Sequence, residues 1–96
     1  MSQVIFHPAA QEELLAAAVY YENCRRGLGA EFLSFVESTV ADVAAYPELG
    51  RVIRQPYRRL LVARFPYGVV YRCDHSTLRI IAIMHLNRKP GYWVEK

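Results

Sequence analysis

The sequence has 96 residues, 53% of them hydrophobic and 22% charged, with a formal net charge of +3. That composition excludes a disordered chain, and no apolar run approaches the roughly 20 residues of a membrane span, which excludes a helical membrane protein. The charge is divided: residues 1–50 carry two basic side chains against seven acidic ones, a balance of −5, and residues 51–96 carry ten against two, a balance of +8.

The elements follow in chain order. Val4-Ile5-Phe6 is a short apolar run that predicts a first strand. Pro8 suits the first position of a helix, and Glu12 and Glu13 fall in its first turns, where the helix dipole favours them. Ala10, Leu14, Ala17 or Ala18 and Tyr21 recur at helical spacing, so this helix is expected from about Pro8 to Arg25, ended by Gly27 and Gly29. A second helix is expected from near Ala30, with Phe32, Val36, Val40 and Val43 as its apolar stripe and Tyr46-Pro47 as its end.

Beyond Pro47 the period changes from helical to strand-like. Arg51–Arg54 predicts a short strand, Arg58–Phe65 a stronger one ending at Arg64 and Phe65, Phe65–Gly68 a turn, and Val69–Cys73 a strand that pairs back. Asp74–Thr77 is a further turn and Leu78–His85 the last strand. The expected fold is α+β, one domain over residues 1–96: an N-terminal strand and a helical hairpin packed on a three- to four-stranded antiparallel sheet. A domain of this size has a thin core, part of which a partner can cover.

Cys24 and Cys73 form no metal-ligand spacing and read as free, semi-buried thiols. The opening residues lack the basic region of a secretory leader, so a cytoplasmic protein is expected. The glycines form no phosphate loop, and neither a nucleophilic triad nor a metal cluster is visible, so no metal or cofactor is expected. His7 before Pro8 reads as a helix cap, and His75 as an exposed turn residue. His85 ends an apolar run just before Arg88 and Lys89, placed either to shuttle a proton or to hydrogen-bond backbone at a strand end. Arg64, Arg72 and Arg79 either cradle phosphates at one sheet edge or stay solvated. Tyr71 reads as core. Tyr92 and Trp93, beyond the last strand, read as interface anchors or as rings folded back on the sheet. The basic half points to a polyanionic or acidic partner.

Over about residues 3–93 the chain resembles the RelE/ParE superfamily of type II toxins. The likeness rests on ordered pieces: the first strand with Pro8-Ala9-Ala10-Gln11-Glu12-Glu13-Leu14, Tyr20-Tyr21, Tyr46-Pro47-Glu48-Leu49-Gly50, the run from Arg58 to Arg72, and Ile83 to Arg88. The resemblance implies a microbial-RNase-like fold, a cognate antitoxin as partner in a hetero-oligomer, and one of two activities that inhibit growth. RelE-like members cut messenger RNA on the ribosome without metal; ParE-like members inhibit DNA gyrase. For the first activity it implies Arg64, His85 and Arg88 as catalytic residues, with Tyr92 or Trp93 near the C-terminal tyrosine. The lysine pair of RelE-type enzymes is absent, and Arg54, Arg58 and Arg59 occupy that region. The helical hairpin and Pro47–Gly50 resemble the ParE side, for which Arg58, Arg59, Arg72, Arg79, Lys89, Tyr92 and Trp93 are the expected contacts to partner or target. A non-catalytic nucleic-acid-binding module is the remaining alternative.

Overall fold

The computed structural model describes residues 3–89 and 91–95; Met1, Ser2, Pro90 and Lys96 of the expected 1–96 domain lie outside the described residues. Strand β1 (Gln3–Phe6) leads into helices α1 (Pro8–Cys24) and α2 (Leu28–Ala45). Strands β2 (Arg51–Arg54), β3 (Tyr57–Leu61), β4 (Tyr67–Asp74) and β5 (Thr77–His85) follow, and a 3-10 turn spans Tyr92–Glu95.

His7 caps α1: its Nδ1 accepts from the Ala9 N–H at 3.0 Å, and Pro8 opens the helix. Helix α2 begins at Leu28, two residues before the expected start. Its cap, Gly27, has φ 87° and offers no side chain. The Glu22 carboxylate of α1 takes over, accepting from Gly27 N–H and Gly29 N–H at 3.0 Å, so the connection is held from the preceding helix.

The expected antiparallel meander is present as β2 to β5, and β1 extends it. The sheet runs β1-β5-β4-β3-β2, with β1 parallel to β5 through Val4–Leu78 and Phe6–Ile80, so it has five strands and is mixed. Pairing between the first and last strands is non-local, so no turn residue announces it.

A bulge in β5 decides which residues face the helices. Val70 pairs with Ala82 but Tyr71 pairs with Ile80, which leaves Ile81 as the extra residue. Leu78, Ile80 and Ile83 therefore all reach the helical face. They pack there with Ala10, Ala17, Ala18, Phe32, Val36, Val43, Val69 and Tyr71. Each large apolar side chain buried there contributes about 1.5–3 kcal/mol. Of the expected stripes, Leu14, Tyr21 and Val40 are only partly buried. The opposite sheet face carries a second cluster, Val70, Ala82, Met84 and Trp93, flanked by Ile53, Tyr57 and Tyr92.

Two side chains depart from the expected burial. Trp93 is 3% exposed and folds back on the sheet, its ring 4.7 Å from that of Tyr57; it is no exposed anchor. Cys24 is exposed, whereas Cys73 is half-buried and its thiol pushed up by that burial. No helix among the described residues is long and apolar enough to cross a membrane.

Candidate functional site

Strand β3 ends at Leu61, earlier than expected, so Arg64 is not a strand-end residue. It sits in the loop 62–66 with φ 68°, a left-handed conformation. Phe65 is drawn inward against Tyr21 and Phe32, with centroids 4.9 and 5.1 Å away, and Val62 N–H closes the loop on the Tyr67 carbonyl. The Arg64 guanidinium consequently lies over the Phe35 ring of α2, 5.6 Å from its centroid. Tyr67 and Gly68, expected in the turn, open β4.

Arg64, Arg72 and Arg79 do not form one cradle. Arg72 and Arg79 lie at the far end of β4, opposite each other across the β4–β5 ladder, and both bind Asp74, at 2.7 and 3.0 Å. The Arg72 guanidinium, with Arg79 second, holds the Asp74 carboxyl below its ordinary range. Arg72 also covers the Tyr57 ring. Arg58 is committed to backbone, donating to the Gly50 carbonyl at 2.8 Å. Beside it, buried Tyr71 donates to the Pro47 carbonyl at 2.6 Å and accepts from Gly50 N–H at 2.9 Å. The Pro47–Gly50 segment is thus fastened to the sheet by Arg58 and Tyr71.

Two hollows flank the C-terminal end of β5. One, about 240 Å³, is lined by Glu13, Tyr20, Tyr67, Ile83, His85 and Arg88. His85 lies opposite Tyr67 in the ladder, with ring centroids 5.1 Å apart, and its Nδ1 accepts from Asn87 N–H at 3.0 Å. His85 therefore makes the backbone hydrogen bond expected of a strand-end histidine. Glu13 does not serve the α1 dipole in its first turn. It reaches the edge of β5, where one carboxylate oxygen accepts from Ile83 N–H at 3.1 Å and the other accepts from the Tyr92 hydroxyl. Burial, then this carboxylate, drives the Tyr92 phenol well above its ordinary value. Arg88 stacks on the Tyr92 ring at 4.0 Å.

The second hollow, about 290 Å³, opens on the sheet face away from the helices and is lined by Ile53, Arg54, Arg59, Met84, Leu86, Arg88, Gly91 and Trp93. Arg88 belongs to both hollows and Arg64 to neither. The structure thus brings His85 and Arg88 together and leaves Arg64 apart, over Phe35.

The family model for the ParE toxin of the type II toxin–antitoxin system parDE matches residues 4–90. The chain belongs to the ParE toxin family. Among solved structures, a chromosomal ParDE toxin–antitoxin system from P. aeruginosa shares the fold of this ParE-family chain at a TM-score of 0.66 and 20% identity, covering 88% of this chain and 96% of that one. No curated protein matches it.

In this ParE-family chain the basic half is not one uniform surface. Arg58, Arg72 and Arg79 are engaged within the fold, whereas Arg88 and Lys89 are exposed beyond β5. Glu13 and Arg54 carry parts of the site that residue spacing did not single out. The helical run identified Glu13 only as a dipole partner, and nothing local ties it to Ile83 or Tyr92.

Proposed function

We propose that this ParE-family toxin inhibits growth by binding DNA gyrase, acts in the cytoplasm and is neutralised by a cognate antitoxin in a toxin–antitoxin hetero-oligomer. The observation that carries the gyrase reading is the separation of the three residues that metal-free RNA cleavage would combine. The Arg64 guanidinium lies over Phe35 and lines neither hollow, while His85 and Arg88 line the hollow beside Tyr67. Cleavage of RNA needs a base, an acid and phosphate-binding charge at one phosphodiester. Inhibition by binding needs only a shaped basic and aromatic surface.

In this reading the exposed residues after β5, Arg88 and Lys89, with Tyr92 holding Arg88 in place, touch the target. Trp93 supports them from beneath. Arg58, Arg72 and Arg79 maintain the sheet that presents them. The test is induced expression of the toxin alone, scored for DNA-damage response against translation arrest. The reading expects the DNA-damage response with translation continuing. Immediate translation arrest with cut messenger RNA would contradict it.

A further inference from the structure

Glu13 commits its two carboxylate oxygens to two separate parts of the molecule. Strand β1 covers β5 only as far as Ile80. Phe6 is its last strand residue, and His7 N–H closes on the Ile80 carbonyl at 2.8 Å before Pro8 opens α1. Beyond Ile80, no described strand pairs with that edge of β5. Helix α1 crosses there instead, and Glu13 Oε1 accepts from Ile83 N–H at 3.1 Å. One acceptor is enough to close the edge. The other oxygen, Oε2, accepts from the Tyr92 hydroxyl, which edge closure does not require.

What the second bond does follows from the segment it holds. Arg88 N–H closes a turn on the His85 carbonyl at 2.9 Å, and Gly91, with φ 82°, turns the chain back. Trp93 then enters the cluster under the sheet, while Tyr92 reaches across to α1. The Arg88 guanidinium rests on the Tyr92 ring, 4.0 Å from its centroid. The hydroxyl bond fixes where the ring lies, and the ring fixes the face on which the guanidinium rests. Glu13, His85 and Arg88 line one hollow, so the carboxylate stands beside the surface it shapes. An arginine ordered in advance loses less freedom when a partner arrives. We infer that Glu13 is a positioning residue for the target contact of Arg88, acting through the hydroxyl and ring of Tyr92. The inference rests on the gyrase reading above, in which Arg88 touches the target. A residue that only closed the sheet edge would alter stability and leave Arg88 as it is.

The test is a double-mutant cycle on supercoiling by purified gyrase, with the full chain's concentration corrected for folded protein. Glu13→Ala should raise the concentration for half-inhibition about tenfold. Arg88→Lys keeps the charge but loses the planar stack, and gives a weaker background that is still measurable. In that background Glu13→Ala should add less than about twofold, because the stack it acts through is gone. Glu13→Gln should keep most of the inhibition, since its amide can accept from Ile83 N–H and donate to the Tyr92 oxygen. Glu12→Ala, exposed on the same helix, should change nothing. Proton NMR gives an independent reading at a temperature where every variant is folded. The Tyr92 ring should displace the Arg88 side-chain protons upfield, and that displacement should vanish in Glu13→Ala and persist in Glu12→Ala. A Glu13→Ala chain that inhibits within about twofold of wild type, or that keeps the Arg88 displacement, would overturn the assignment. So would equal losses in the two backgrounds. A wild-type chain that leaves supercoiling undisturbed would instead overturn the gyrase reading, and the same cycle, scored on growth inhibition, then decides the role of Glu13.

Discussion

Tyr92 donates its hydroxyl hydrogen to the Glu13 carboxylate, joining the segment after the last strand to the first helix. The other oxygen of the same carboxylate accepts from Ile83 N–H, on the stretch of β5 that β1 does not cover. One side chain therefore closes a sheet edge and fixes the position of Arg88 through the Tyr92 ring.

Removing that carboxylate should be costly. Glu13→Ala leaves the Ile83 N–H unpaired and frees Tyr92, and we expect a loss of about 1–3 kcal/mol. Tyr92→Phe removes only one of these two hydrogen bonds and should cost less than Glu13→Ala, about 0.5–1.5 kcal/mol. Urea unfolding monitored by circular dichroism measures both.

Stability should fall at both pH extremes for identifiable reasons. The folded state raises the Tyr92 phenol above its ordinary 10.0. It therefore favours the protonated form, and this contribution is complete below that pH and lost as pH rises beyond it. Tyr92→Phe should show a shallower alkaline loss than wild type. The folded state lowers the Asp74 carboxyl below its ordinary 3.8, so its contribution is present above that pH and lost as pH falls further. Asp74→Asn should flatten the acid limb. Unfolding midpoints across pH separate the two effects.

Trp93 should behave as core. Trp93→Ala opens a cavity beside Val70, Ala82 and Met84, and we expect a loss of about 3–5 kcal/mol. Trp93→Phe should keep most of the stability and the growth inhibition. An exposed anchor would give the reverse pattern, with folding intact and toxicity lost in both variants.

Tyr71→Phe should cost about 1–3 kcal/mol, because the Gly50 N–H loses its acceptor in a buried place. Gly50→Ala should also destabilise the fold, since the added methyl runs into the Tyr71 phenol. Thermal unfolding of the two variants and the pair together reports their coupling.

The helices and the meander were legible because their signals are local. Pro8 and Tyr46-Pro47 bracket the helices, and the strand period begins near Arg51. What was hidden is long-range or competitive. Glu13 serves residues at the other end of the chain, and β1 pairs with the last strand. Pro66 and Gly68 read together as a turn, yet Gly68 lies inside β4 to make room for the Arg59 stem. Arg64 read as a strand end because the apolar run continues to Phe65. That residue turns inward to the aromatic core instead, and carries the chain out of the sheet. The basic surplus was visible, but which arginines it leaves accessible depends on acceptors, Asp74 and the Gly50 carbonyl, that spacing does not reveal.

His85 separates binding from catalysis. If inhibition is by binding, His85→Ala should retain growth inhibition once corrected for folded protein, whereas Arg88→Ala should lose it. Loss of a general acid–base group would instead lower activity about 100- to 10,000-fold. Growth curves under graded induction give the comparison.

The most direct measurement adds the purified chain to DNA gyrase in a supercoiling assay and, separately, to translating ribosomes. The account predicts loss of supercoiling with messenger RNA left intact, and loss of that inhibition in Arg88→Ala. Cleaved messenger RNA with undisturbed supercoiling would contradict it.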